Sequence, residues 1–255
     1  MGTAGLVKSA DRVLAVLDLI AHHGPMTFAR IVEELDLPKS SAHNLLATMA
    51  ARGYIERDAA QGVFVLGIRV WEIAQAEHRV ERLRSAMKAL MDSLVEATQE
   101  TVQLAQLEGF EAVYLAIAES PRPMKLTSRI GARLPAHTTG LGKTLLAFLE
   151  EDDVLDRLGS REMESLTEHT ITTPAALLDA LRTIRRRGYG TDDEEFAIGL
   201  RCIAMPIRDR TGTVTAAMSV SMPTPRYSDE IAARARFHLA DTVAEAERRI
   251  RTLGP

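Results

Sequence analysis

Ser219 and Ser221 stand two residues apart in the stretch Thr213 to Ser221. On an extended strand both hydroxyls fall on one side with Thr215 and Ala217, while Val214, Ala216, Met218 and Val220 fall on the other. Two hydroxyls on an otherwise apolar strand suit the polar head of a small ligand. A second polar feature is Thr138-Thr139-Gly140-Leu141-Gly142, which leads into an apolar run. Free N–H groups at a helix N-terminus suit a carboxylate. The same stretch continues into Lys143-Thr144 and so mimics the end of a phosphate loop, but that pattern needs Gly at 137, where His137 stands. Asp192 to Glu195 is a run of four acids just upstream of Cys202, which lies on the partner strand of the last hairpin. Each feature has a plain reading: a solvated acidic loop, a packed cysteine, glycines for close backbone approach. Their convergence points to a ligand pocket. Cys202 as a nucleophile would need His137 or His169 as base, and no signature supports that. His22 and His23 are adjacent, so they point to different sides of a helix and make a poor metal pair. No metal and no cofactor is expected.

A third set is Lys39, Ser40, Ser41, His43 and Asn44, crowded at the start of a helix. The serines and Lys39 suit phosphate oxygens, and Asn44 suits the bidentate edge of an adenine. The elements that must position them follow from the surrounding residues. Ile31, Val32 and Leu35 have helical spacing after a Thr27 cap. Pro38 in the joint Asp36-Leu37-Pro38-Lys39 stops that helix and starts the next, over 40–52, which turns Leu45, Leu46 and Met49 inward and ends at Gly53. Tyr54 to Arg57 and Val63 to Leu66 flank a turn-prone Asp58 to Gly62 and predict a hairpin. A helix over 7–23, capped by Ser9, with Val13, Leu14, Val16, Leu17 and Ile20 apolar, completes a winged helix-turn-helix. Over 1–66 there are six basic and seven acidic residues, a net of −1. Phosphate neutralisation dominates DNA affinity, so this head needs company in a dimer or larger assembly, and its acids must face away from the duplex.

The chain has 255 residues, 46% apolar and 26% charged, with a net charge of −4. That is enough for two cored domains and argues against a general nucleic-acid coat or an anionic-membrane binder. No apolar run can span a bilayer, no secretory pattern opens the chain, and a single cysteine fits a reducing cytoplasm. The expected organisation is a winged helix over 1–67, a linker helix over 68–83 beginning near Trp71, and a second domain over 84–255. That domain opens with a helix to about 99. A hairpin of 101–107 with 112–118, a short strand candidate at 125–130 and a helix over 141–149 follow. Then come a helix over 174–187, a hairpin of 201–207 with 213–222, and a closing helix over 229–252. Hairpins with flanking helices predict a mainly antiparallel sheet and an α+β class.

LPKSSAHNLLATM followed by GYIERD, and then RLPAHTTGLGKTLLAF, RRRGYGTDDEEFAIGLRCIAMPIRD and AAMSVSMP, resemble the hallmark blocks of the IclR family of bacterial transcription regulators. The resemblance spans nearly the whole chain. It implies a DNA-binding head, a linker helix and a GAF-like effector domain, pairing through the heads, and dimers of dimers. It also implies effector contacts at the backbone of Gly140 and Leu141 and at the side chains of Asp192, Cys202, Ser219 and Ser221, with Leu126, Leu134 and Leu200 as an apolar wall. Many members have Arg where this sequence has Asn44, so base preference there is expected to differ. The partners implied are operator DNA, a small organic acid or related metabolite, and further copies of the chain. A constitutive DNA-binding protein with an oligomerisation module is the alternative to a ligand-responsive regulator.

Overall fold

The computed structural model describes residues 7–75 and 78–252. The chain divides into two compact units between His78 and Arg79. In the first, α1 (Lys8–His23), β1 (Met26–Thr27), α2 (Phe28–Glu34), α3 (Lys39–Ala51), β2 (Ile55–Asp58) and β3 (Val63–Leu66) are followed by α4 (Ile68–Gln75). Val16 and Ile20 of α1, Ile31 of α2, Leu46 and Met49 of α3, and Ile55 and Phe64 of the hairpin close one core. Thr27 caps α2 by accepting the Arg30 N–H at 3.3 Å. Asp58 Oδ1 accepts the N–H groups of Ala60 and Gln61, which folds the hairpin turn.

Several details differ from the sequence reading. Ser9 does not cap α1; Val7 holds that position with no side-chain bond. Leu14 is 60% exposed, because the buried stripe runs through Val16 and Ile20. The joint turns at Asp36, whose φ is +45°, and α3 starts at Lys39. Ala42 is fully buried, while Leu45 is only partly covered. The hairpin gains a third strand, since Met26 and Thr27 pair antiparallel with Phe64 and Val63.

The second unit opens with α5 (His78–Thr98). The expected helix break at 83/84 falls inside α5, because Val80, Leu83, Met87, Met91 and Leu94 continue one apolar stripe onto the sheet. That sheet is antiparallel throughout. Its order is β6 (Arg133–Pro135), β5 (Glu111–Ala118), β4 (Thr101–Glu108), β9 (Val214–Pro223), β8 (Leu200–Arg208), β7 (Gly190–Asp193). One face packs on α5 and α9 (Asp229–Thr252) through Val102, Leu104, Ile203, Met218 and Val220. The other carries α6 (Gly140–Leu146), with Leu141 and Leu145 on Ala105, Tyr114, Ala204 and Ala217. Behind α6 lie α7 (Glu151–Leu158) and α8 (Pro174–Arg187). Thr173 caps α8, Pro174 opens it, and Gly188 ends it at φ +81°.

Residues 125–130 form no strand. Gly131 and Ala132 bond Tyr114 instead, and the ladder against β5 begins only at Arg133. β7, a short edge strand holding two of the four consecutive acids, went unforeseen. Val214 packs with the α6 cluster rather than beside Met218, because the β8–β9 register shifts between Ile207 and Arg208.

Candidate functional site

On the first unit, Lys39, Ser40, Ser41, His43 and Asn44 are all exposed around the start of α3, while Ala42 between them is buried in the core. Two grooves flank the helix. One, of about 510 Å³, runs toward the wing past His43 and Arg57; the other, of about 470 Å³, runs toward α1 past Ser41, Asn44 and Arg12. Among the described residues neither groove is lined by an acid. Arg12 and Arg57 were not singled out in the sequence, because nothing local ties them to α3.

In the second unit the strand register assembles the ligand candidates. Thr101 pairs with Ser221, Ser221 with Cys202, and Cys202 with Asp192; in the next row Gln103 pairs with Ser219 and Ser219 with Ala204. Side chains alternate across the sheet, so this set shares the α6 face. Gln103 is its hub. Its Oε1 accepts the Ser219 hydroxyl at 3.0 Å and the Ser221 hydroxyl at 2.7 Å, and its Nε2 donates to Ser128 Oγ at 3.1 Å. Gln103, Ser219 and Ser221 are buried. The hydroxyl pair was legible as an alternation, but Gln103 was not, since it lies 116 residues away and only the β4–β9 ladder joins them.

α6 stands over this row. Thr139 accepts the Gly142 N–H at 2.9 Å, and the Gly140 and Asp192 N–H groups point to the Cys202 sulfur. Leu141 is buried in the cluster below α6, and Leu134 packs against that cluster. Leu200 opens β8, buried, on the Cys202 side by alternation. Leu126 is half-buried but joins none of the apolar clusters among the described residues; Ser128 is what the 119–130 segment sends to the site.

The acidic run is not a solvated loop. Asp192 is 3% exposed and its Oδ1 accepts the N–H groups of Glu195 and Phe196 at 2.8 and 3.3 Å. Glu195 is buried in an ion pair with Lys143, so the Gly-Lys-Thr stretch turns its lysine into the domain and not toward a phosphate. Burial raises the Asp192 carboxyl to about 7, against the opposing pull of Lys143. Burial also pushes the Cys202 thiol well up, and neither histidine reaches it among the described residues: His137 Nε2 meets the Glu164 carbonyl at 3.0 Å, and His169 lies near Glu168. A protonated thiol without a base is no nucleophile. Among the described residues no group of three or more His, Cys, Asp or Glu is placed to hold a metal, and no helix is long and apolar enough to cross a membrane.

An exposed helix of recognition type on one unit and a sheet domain with a buried polar row on the other match the two-part layout of a DNA-binding regulator. Residues 75–248 match the family model "Bacterial transcriptional regulator IclR C-terminal", and residues 9–59 match "IclR helix-turn-helix domain". The chain belongs to the IclR family of transcriptional regulators, which sets it apart from enzymes. It is 37% identical over 248 residues to the HTH-type transcriptional regulator BhcR of Paracoccus denitrificans, covering 97% of this chain and 87% of that one. It is 36% identical over 225 residues to KdgR of Escherichia coli, covering 88% and 85%. The crystal structure of an IclR homolog complexed with 4-hydroxybenzoate, from Microbacterium hydrocarbonoxydans, superposes with a TM-score of 0.84 at 28% identity, covering 96% of this chain and 99% of that one.

The Asp192 carboxyl binds its proton more tightly folded than unfolded. Its contribution to stability is therefore full below the ordinary carboxylate range and fades as pH rises toward about 7. Asp192→Asn keeps the acceptor oxygen and removes the titration. Thermal unfolding from about pH 4 to 7 should then show the parent losing stability relative to the variant as pH rises. Parallel curves would mean the carboxyl is not held up by its burial.

Proposed function

We propose that the polar row beneath α6 takes the acid group of a small organic metabolite and that its occupation changes how the α3 heads engage an operator. The observation that carries this reading is the buried set Gln103–Ser219–Ser221–Ser128. The Gln103 oxygen takes the two serine hydroxyls as a ligand carboxylate oxygen would. A ligand that displaces it must offer acceptors of its own, or leave buried hydroxyls unpaired, which selects for acids over their neutral analogues. The N–H of Leu141 favours the same charge, that of Gly140 being turned to the Cys202 sulfur. A structural relative whose crystal holds 4-hydroxybenzoate, an aromatic acid, agrees in ligand class. Exchange at Gln103 also frees Ser128 and so reaches the 119–130 segment. A two-state shift in the effector domain, passed through the linker helices α4 and α5, is the simplest route to the heads.

The heads act in pairs under this reading. Leu14 on α1 and Ile68, Trp71 and Ile73 on α4 are 49–60% exposed, and α4 buries none of its own residues. A second copy would cover these side chains and supply the phosphate contacts that a net charge of −1 cannot. Dimers and dimers of dimers, with an inverted-repeat operator, are the assemblies expected.

Asn44→Ala should weaken operator binding by about 1–3 kcal/mol, concentrated on one base pair of each half-site, with the fold intact because the side chain is exposed. Equal weakening on operator and random DNA in a footprint titration would assign Asn44 to the phosphates instead.

Sedimentation at micromolar concentration without DNA should show an oligomer, and Ile68→Ser with Trp71→Ser should move it toward smaller species with poorer operator binding. A monomer that binds its operator tightly would overturn the pairing.

Ser219→Ala with Ser221→Ala removes both hydroxyls and leaves the Gln103 oxygen unpaired. Unfolding should cost about 1–3 kcal/mol less, and the affinity for an acidic effector should fall at least about tenfold. Calorimetry with 4-hydroxybenzoate and a panel of small organic acids reads this; full affinity in the double variant would put the acid group elsewhere.

A further inference from the structure

The second unit has another cleft, about 430 Å³, on the α9 side of the sheet edge. Along β7 and β8, Asp192 and Cys202 turn toward α6, whereas Thr191, Arg201 and Ile203 turn the other way and line this cleft with Arg187, Tyr189, Tyr227 and Arg236. Asp192 and Cys202 also border it, but their side chains turn to the α6 face, so the cleft and the polar row lie on opposite faces of the same strands.

Tyr189 organises the charges. Gly188, in the left-handed region, reverses the chain after α8 and brings Tyr189 back beside Arg187. The Tyr189 carbonyl accepts Arg187 Nε at 2.6 Å, and its ring lies 4.4 Å from the Arg187 guanidinium. Its hydroxyl accepts Arg236 Nη1 at 2.8 Å, and the same ring lies 5.0 Å from the Arg236 guanidinium. Thr191 Oγ1 accepts Arg187 Nη2 at 2.9 Å. Arg201 is spoken for: Asp193 lies 2.5 Å from its Nε, and it stacks on Tyr227 at 4.6 Å. By contrast neither Arg187 nor Arg236 has a carboxylate within 4.0 Å among the described residues. Burial holds Arg187 below its ordinary range, against the opposing pull of Tyr189 and the Glu195 carboxylate, and the charge of Arg236 adds to the lowering.

Three guanidiniums and three carboxyls line the cleft; Asp193 is taken by Arg201 and the Asp192 carboxyl by the N–H groups of Glu195 and Phe196, so Arg187 and Arg236 stand against Asp229 alone. Two guanidiniums held in place by one tyrosine, each with an N–H edge left over, match a planar or tetrahedral group bearing two or more anionic oxygens. A cavity of this size takes a small metabolite.

We propose that Arg187 and Arg236, set on Tyr189, form a second ligand site that binds a small divalent oxyanion, a dicarboxylate or a phosphate monoester. The inference does not rest on the acid-binding role of the row beneath α6. The test is calorimetry on the full chain at low ionic strength, with inorganic phosphate in one arm and malonate in the other, and sodium chloride at matched ionic strength as control. Saturable binding of at least one probe, one per chain and not reproduced by chloride, is the expected result; the stronger arm names the class. Arg187→Gln with Arg236→Gln should weaken it at least about tenfold, the loss of charge-assisted bonds to one anion. Ser219→Ala with Ser221→Ala should leave it unchanged. Arg236 is exposed and its one hydrogen bond runs to the Tyr189 hydroxyl, so Arg236→Gln alone decides the matter if the double variant fails to fold. No saturable binding of either probe, or affinity unmoved by the arginine changes, overturns the proposal. So does a changed sedimentation coefficient with unchanged anion affinity, which would make the cleft a contact between chains.

Discussion

The seating of α6 on the sheet is the constraint from which the second unit takes its shape. A side chain at Gly140 would put its first carbon 2.6 Å from the Cys202 sulfur, and one at Gly142 would strike the Ala136 backbone. At Gly190 it would strike the Thr144 hydroxyl, which instead donates to the Gly140 carbonyl at 2.7 Å. The helix thus comes down to near backbone contact at its first turn, where the Gly140 N–H meets the Cys202 sulfur. Further along, Leu141 and Leu145 pack on Ala105, Ala204 and Ala217, small residues that keep the approach close.

Close seating makes the buried polar groups depend on one another. Lys143 enters the interior with Glu195 as its counter-charge, and Glu195 is positioned by a turn that Asp192 ties through two N–H groups. Removing one member of such a pair leaves an uncompensated charge, whereas the pair as a whole contributes little to net stability. Its use is to hold α6 in one place over the Gln103 row. The serines and Gln103 satisfy each other in the same way, so the row is polar without being strained.

The pleat divides this chemistry between two faces. Asp192 turns under α6 and Asp193 turns to Arg201. Glu194, at φ +61°, accepts the Gly199 N–H and the Thr224 hydroxyl, and Glu195 reaches Lys143. Four adjacent carboxyls thus serve four separate sets of partners. Asp192 and Cys202 on one face and Thr191 and Arg201 on the other belong to the same two strands, β7 and β8, so the two faces meet there.

Local pattern alone was enough for the elements whose start and stop signals are close in sequence. Thr173, Pro174 and Gly188 bound α8, Pro38 separates α2 from α3, and alternation set Ser219 and Ser221 on one face. The exposed set Lys39 to Asn44 was legible for the same reason: a helical period says which residues are left over from the core. Partnership across the sheet was not legible. Gln103 meets Ser219 only because β4 and β9 are neighbours, Arg236 meets Tyr189 only because α9 crosses that end of the sheet, and Lys143 finds Glu195 52 residues on. Nor could the chain show that 125–130 lacks a ladder partner, or that two acids of the 192–195 run are buried. Periodicity records which side of an element faces inward; what it meets there is decided by topology and register.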